Sequence, residues 1–532
     1  MKLPSPMGPS GRFSRVPVAE LPRSQFDRSH GHKTTFDVGY LIPVFWDEVL
    51  PGDTLNLRMT GFVRLSTPVK PIMDNMYLDT FFFFVPYRLV WANFVKMMGE
   101  QEDPGDSISF TVPQRGVAGG GILAGTVADY LGVPTEVGAS VTAWTYNALP
   151  HRCYYKIWNE WFRDQNLQDG VSQQGQSGVS FGTGDGPDSS TNNGGPLLQR
   201  GKRHDYFTSC LPWAQKGTAP DLPIDIVTDN TDILLKGASS SQEGHVEPAV
   251  STGLPGLQIR STSTAFSANE NLRFGSNTGL ETELTINELR ETLQIQKLLE
   301  RDARSGTRYP EILMSHFRVQ DPMHLVLQRP EYLGGGSTPV VVNAVAQTSE
   351  TGVTEQGNLA GIGTAVSQGD GFVKSFTEHG IVMGLVSVRA DLTYQQGLER
   401  AFSRSTRYDF YWPAFAHLGE QAVLNKEIYL QDHQDDDAAF GYQERWSEYR
   451  YKPSKVTGEF RSNHANTLEV WHLAQDYASL PVLDATWIVE NPDMARILAS
   501  STNDHFLADF YFKYICARPL PMHSIPGFTG KL

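Results

Sequence analysis

Residues 77–88 read Tyr77-Leu-Asp-Thr-Phe81-Phe-Phe-Phe-Val85-Pro86-Tyr87-Arg88, apolar on both alternating faces. Aromatic and β-branched residues favour strands. A strand with no polar face must be covered on both sides. Pro86 lacks the amide hydrogen that a ladder needs, so pairing is predicted to stop there. The stretch before it behaves differently. Leu55, Leu57, Met59, Val63 and Leu65 share one face, while Thr54, Asn56, Arg58, Thr60 and Arg64 share the other. That period of two predicts a half-buried strand over 53–65. Phe62 alone breaks the pattern. Alternation returns late, at Val386, Val388, Ala390, Leu392 and Tyr394 and at Phe510, Phe512, Tyr514 and Cys516, with Leu468–Leu473 as a further candidate. Early and late strands that pair with each other would form one discontinuous antiparallel β-domain.

Helical signals are fewer. Residues 89–98 predict a short helix ended by Gly99. Residues 151–164 predict an aromatic helix packed on the sheet, its rings serving as core. Thr285-Ile-Asn-Glu288 is a capping-box pattern, followed by Leu289, Leu293, Leu298 and Leu299 at roughly helical spacing and ended by Ser305-Gly306. Arg301, Arg304 and Arg308 suit the negative end of that helix dipole. Residues 116–125 and 349–371 are glycine-rich, and 169–195 are low in complexity. Residues 216–283 are polar, with short islands at Ile224–Val227 and Ile233–Leu235. They read as an insertion projecting into solvent, the kind of long loop that carries function. No internal repeat is visible.

Composition narrows the class. The chain has 532 residues, 40% hydrophobic and 19% charged, enough for a sizeable core. No apolar run approaches the roughly 20 residues of a membrane helix, and Met1-Lys-Leu-Pro-Ser-Pro lacks the apolar core of a secretory leader. Three widely spaced cysteines, Cys153, Cys210 and Cys516, argue against a disulfide scaffold or a cysteine zinc site and for a reducing interior. The formal net charge of −15 argues against a polyanion binder over the whole surface. The opening segment runs the other way. Within residues 1–33, Lys2, Arg12, Arg15, Arg23, Arg28 and Lys33 face only Glu20 and Asp27, and five prolines forbid a regular helix. This basic arm is either a draped terminus or a contact for phosphate or a neighbouring subunit.

Motifs for chemistry are weak. His30-Gly-His32 has the spacing of a cupin histidine pair but no nearby glutamate, so solvated imidazoles are expected. Gly178-Val-Ser180-Phe-Gly182 fits a nucleophile elbow without the strand–turn–helix context that the elbow needs. Gly119–Gly121 and Gly334–Gly336 lack the Lys-Ser/Thr of a phosphate loop. Asp432 and Asp435–Asp437 read as an exposed acidic loop before they read as a calcium site. No catalytic residue, metal ligand or cofactor site is assigned. A β-sandwich glycoside hydrolase, which needs two carboxylates in one cleft, or a carbohydrate-binding protein is the alternative class.

The chain closely resembles the major capsid proteins of gokushoviruses, within the microviruses, small icosahedral single-stranded DNA bacteriophages. The early carrying segments are Arg23-Ser-Gln-Phe-Asp-Arg-Ser-His30, Lys33-Thr-Thr-Phe36, Asp47-Glu-Val-Leu-Pro-Gly-Asp53 and Asp74-Asn-Met-Tyr-Leu-Asp79. Glu331-Tyr-Leu-Gly-Gly-Gly-Ser-Thr338, Asp391-Leu-Thr-Tyr-Gln-Gln396 and Phe410-Tyr-Trp-Pro413 follow. Gly441-Tyr-Gln-Glu-Arg-Trp446, Tyr449-Arg-Tyr-Lys-Pro453 and Arg518-Pro-Leu-Pro-Met-His-Ser-Ile-Pro-Gly527 are the late ones. The likeness is weakest in 169–195 and 216–283.

The resemblance implies a mainly β chain with a single antiparallel jelly-roll β-sandwich of the viral capsid type, long loop insertions and a few helices. Its expected division is a basic arm at 1–33, a sandwich from 34–110 and 371–525, insertions over 111–370 and a tail at 526–532. It implies a non-enzymatic protein that self-assembles into an icosahedral shell around single-stranded DNA, located in the virion and assembled in the host bacterial cytoplasm. The insertion at 216–283 is expected at three-fold axes as a host-attachment protrusion. Implied partners are further copies of the chain, packaged DNA, other virion proteins and a host cell-surface receptor, without membrane insertion. Arg12, Arg15, Arg23, Arg28 and Lys33 are the candidate residues for nucleic-acid or subunit contact.

Overall fold

The structure is a computed structural model. It describes residues 22–523 except 102, 118–120, 136–143, 173–181, 189–193, 221–234, 238–242, 249–256, 262–271, 275–285, 319–327, 349–356 and 501. Nine strands form its frame: β1 (Ser24–Asp27), β2 (His30–Phe36), β3 (Ile42–Val49), β4 (Thr54–Leu65), β5 (Met76–Pro86), β6 (Glu331–Ala346), β7 (Leu359–Ser375), β8 (Gly380–Ala390) and β9 (Phe506–Arg518). Every pairing among them is antiparallel. One sheet runs β2–β9–β4–β7, with β1 continuing the β2 edge along β9; the other runs β3–β8–β5–β6. Strand β6 belongs to both. Its residues 331–340 lie along β5 and its residues 341–346 along β7. Successive strands otherwise alternate between the sheets, which is the jelly-roll connection.

The period-two face of β4 explains the core. Leu55, Leu57, Met59, Val63 and Leu65 are buried with Phe82 and Phe84 of β5 and with Phe510 and Phe512 of β9. Phe62, on the opposite face, is 49% exposed. The doubly apolar β5 is covered on both sides, as its sequence demands. Phe83 and Val85 pack away from the first core, against Ile381 and Met383 of β8 and against Trp91, Tyr154 and Ile157. The last two come from α1 (Leu149–Ile157), which continues into a π-helical turn over Trp158–Phe162. Each phenylalanine so buried contributes about 1.5–3 kcal/mol.

Residues Gln215–Ser305 form a second compact unit within the β5–β6 connection. It holds a four-stranded antiparallel sheet in the order Leu257–Ser261, Glu243–Pro248, Leu235–Gly237 and Leu272–Phe274. Its helix, α2 (Ile286–Arg304), covers the span that the sequence pattern predicts and stops before Gly306.

Several boundaries differ from the sequence reading. Residues 331–370, assigned there to the insertions, supply β6 and all but the last five residues of β7. Their glycines disguised them. A methyl group on Gly335 would collide with the Thr80 carbonyl oxygen, and one on Gly371 with that of Leu57. Glycine marks close strand approach here, not loop. Residues 24–33, assigned to the arm, include β1 and the start of β2, both paired with β9. Residues 391–505, assigned to the sandwich, form a second connection that shares a small core with the β5–β6 connection, around Phe207, Tyr394, Val423 and Trp487. Leu468–Leu473 is not a strand; a 3-10 turn spans Glu469–Trp471. The Leu473 amide donates to Asp74 Oδ2 at 2.7 Å instead of to a ladder. The helix read over 89–98 shrinks to Tyr87–Leu89 and Phe94–Met97, still ended by Gly99 with positive φ. The islands at 224–227 and 233–234 lie outside the described residues.

Candidate interaction surfaces

The basic residues of the opening segment divide in two. Arg12 and Arg15 lie outside the described residues. Arg23 donates to the Gly52 carbonyl and to Thr54 Oγ1 (2.9 Å). Arg28 forms an ion pair with Asp47 and lies over the Tyr514 ring. Lys33 meets Asp509 at 3.2 Å. The three described cations are therefore held by acceptors of the β3–β4 turn, β3 and β9. The two exposed pairs are worth little stability, yet their charge is locally matched.

Other motifs settle into structural roles. His30 stacks on Phe45 at 5.8 Å and tilts over Phe512 at 5.4 Å. Burial and the neighbouring His30 hold His32 below its ordinary value. Asp436 accepts backbone bonds from Gln431 and His433 and caps a 3-10 turn over Gln434–Asp437. Among the described residues no group of three or more His, Cys, Asp or Glu could hold a metal. Ser180 and Gly119–Gly120 lie outside the described residues. Glu427, in a pocket of about 280 Å3 that Glu399 and Glu448 also line, has the strongest claim to be a glycosidase-like carboxyl. Burial raises it, but both oxygens are committed: Oε1 to Arg400 (3.1 Å) and the Leu424 amide (3.0 Å), Oε2 to the Tyr206 hydroxyl (2.8 Å). It holds two connections together.

Two surfaces combine rings with cations. In the β8–β9 connection Phe402, Tyr408, Phe410, Tyr411, Tyr449 and Tyr451 are all about half exposed or more. Arg404 lies 4.6 Å from the Tyr449 ring centre and Arg407 5.4 Å from that of Trp412. Exposed apolar area of this kind marks interaction surfaces, and aromatic residues with arginine are the types enriched at interfaces.

The second is a cleft of about 440 Å3 where the outer face of β5 meets the π-helical turn and the start of β6. Phe83 forms its floor, 5.5 Å from both Trp161 and Tyr332. Those two rings stay 39% and 45% exposed. The run Arg200-Gly-Lys202-Arg203-His204, together with Arg163, forms the rim. Arg200 is committed to Asp79 at 2.6 Å. Burial lowers Lys202 to about 8, with Glu490 and Asp205 acting against that shift. The sequence reading passed over this site. A basic run inside an acidic chain was the available signal, but Trp161 and Tyr332 are brought to it only by folding.

Comparison with known proteins fits this architecture. A family model described as capsid protein (F protein) matches residues 14–528. The capsid protein VP1 of Bdellovibrio phage phiMH2K is 42% identical, covering 98% of this chain and 98% of its own. Those of Chlamydia phage 1 (41%; 99% and 98%) and Spiroplasma virus 4 (36%; 97% and 97%) are similar over comparable spans. The likeness to gokushovirus capsid proteins holds over the whole chain, and with it a structural role in the virion. Folded as a jelly roll and matched along nearly all its length, this chain belongs to the phage capsid protein (F protein) family.

Proposed function

We propose that this chain is the major subunit of an icosahedral shell that encloses a single-stranded DNA genome and is assembled in the cytoplasm of a bacterial host. In this reading residues 216–283 cluster at three-fold axes and contribute to attachment to a host receptor. The observation that carries it is a division of labour within the chain. Strands β1–β9 build both sheets of the sandwich without residues 215–305, which form a compact unit of their own. A module that the sandwich does not need for closure is free to serve recognition. The net charge of −15 keeps assembled particles soluble, while genome contact falls to local basic groups. In the opening segment that role rests on Arg12 and Arg15, because Arg28 and Lys33 already face carboxylates.

The test is a deletion of residues 220–275. Particles should still form and protect DNA from nuclease, while adsorption to host cells falls. Loss of particles would make the insertion an assembly element instead, and wild-type particles without protected DNA would overturn the genome role.

A further inference from the structure

We propose that the cleft between Trp161, Tyr332 and the Arg200–His204 run is a nucleotide pocket, taking one base and its phosphate from single-stranded DNA. The inference rests on the reading of the chain as a DNA-enclosing subunit and gives that contact a location. Three observations carry it. The first is a pair of partly exposed rings, Trp161 and Tyr332, set on a buried phenylalanine and 6.2 Å apart, with Arg329 over one face of Trp161. Aromatic faces bind unpaired bases of any sequence by stacking. The second is uncommitted charge. Lys202 lies over the Trp487 ring at 4.4 Å, and Arg163 donates to the Gln168 carbonyl at 3.1 Å. Neither forms an ion pair among the described residues, unlike Arg28 and Lys33. The third is crowding of like charge. Arg329 stacks over Trp161 at 3.7 Å, and burial together with Arg308 lowers both Arg329 and Arg163, with Glu160 acting against the shift in both, Asp164 and Asp169 also in Arg163 and Glu311 also in Arg329. An anion entering the cleft would relieve that repulsion.

The combination selects the ligand class. Rings alone would suit a sugar, and cations alone a free phosphate. Exposed rings bordered by Arg163, Lys202, Arg203 and His204, with Asp164 as the acid lining the cleft, suit a planar base carrying a phosphate. The volume of about 440 Å3 lies in the range of small-ligand sites.

The experiment measures binding of a fluorescent oligothymidylate to purified capsid protein across a salt series. Trp161→Ala and Tyr332→Ala should each weaken binding about tenfold, the scale of one stacked base, and Trp161→Phe should retain most of it. Lys202→Gln should reduce the slope of log affinity against log salt by about 0.7, the value for one lost phosphate contact on a single strand. Lys202→Gln removes no buried ring and stands in where an alanine variant fails to fold. Unchanged affinity and slope in the folded variants would overturn the proposal. So would loss in Lys202→Gln with no loss in either ring variant, which marks a phosphate patch only. Wild-type particles that hold DNA while these variants bind normally would sink the pocket and leave the shell reading standing. Wild-type particles without DNA would sink the shell reading itself.

Discussion

Arg152 and Asp188 form a two-point ion pair with both side chains wholly removed from solvent. Arg152 Nε donates to Oδ2 at 2.9 Å and Nη2 to Oδ1 at 2.5 Å. Nη1 adds the carbonyls of Val90 (3.1 Å) and Gly184 (2.8 Å). Helix α1 is thus tied to two segments of the connection that covers the outer face of β5. Removing one partner of a buried pair leaves an uncompensated charge, which costs about 3–5 kcal/mol, whereas replacing both with apolar residues is often near neutral. Asp188→Ala should therefore lower subunit stability in denaturant unfolding by about that amount, and Arg152→Met with Asp188→Leu should recover most of it. A double variant as unstable as the single one would contradict this account.

The glycines of β6 give a second prediction. Gly335→Ala would drive a methyl group into the Thr80 carbonyl oxygen across the β5–β6 ladder. The strand cannot yield without breaking its pairing with β5, so soluble folded subunit should be largely lost. Gly105 has nothing within 4 Å of the same position and no positive φ. Gly105→Ala should express and unfold like the parent, and comparable yields of the two variants would refute the close-approach explanation.

Burial pulls His151 down to about 3, with the charge of Arg115 acting in the same direction. Its Nε2 lies 3.1 Å from the Gly194 carbonyl, and Nδ1 is buried without a partner. The folded state thus keeps the ring neutral while the unfolded chain protonates it near 6.5. Stability is fully present above 6.5 and falls as pH drops below it, by at most about 1.4 kcal/mol per pH unit. Between pH 6.5 and 5 most carboxylates do not yet titrate. Unfolding measured across that interval should show the loss in the parent and a flatter profile in His151→Gln. Parallel profiles would exclude His151 as the cause.

Two phenylalanines separate core from surface. Phe82 is 1% exposed and sits 5.9 Å from the Phe372 ring, whereas Phe62 is 49% exposed. Phe82→Ala should cost about 3–5 kcal/mol, and Phe62→Ala less than about 0.5 kcal/mol in the unassembled subunit. If Phe62→Ala also weakens particle formation at unchanged subunit stability, its ring belongs to a contact between copies.

Legibility in the sequence followed burial. Strands β4, β5 and β9 were readable because their periods state which faces are covered, and α2 because a capping-box pattern and a glycine bracket it in the sequence. Strands β6 and β7 were not, because glycines chosen for close approach look like loop residues until their neighbours are known. Strand β8 was readable as a strand but not as a doubly buried one. Its polar position Arg389 turns inward to Asp79 at 3.0 Å, where Arg200 and Ser337 also converge. No period announces a buried polar cluster assembled from four distant segments. The ring-and-cation cleft was hidden for the same reason. Its parts lie at residues 81–83, 161–164, 200–204 and 332, and only the sandwich brings them together.

Strand β9 sits inside its sheet, with β1 and β2 on one side and β4 on the other. On a ribosome adding about 5–20 residues per second, β4 waits roughly half a minute to a minute and a half for its neighbour. During that interval its inward row, Leu55 to Leu65, has no permanent lid on that edge. A chain that stops before this strand leaves that edge of β4 unpaired, and such a product is expected to be open to proteases and unfit for a lattice. Chains stalled before Phe506 should be digested far faster than full-length ones, and equal resistance would show that the strand closes nothing.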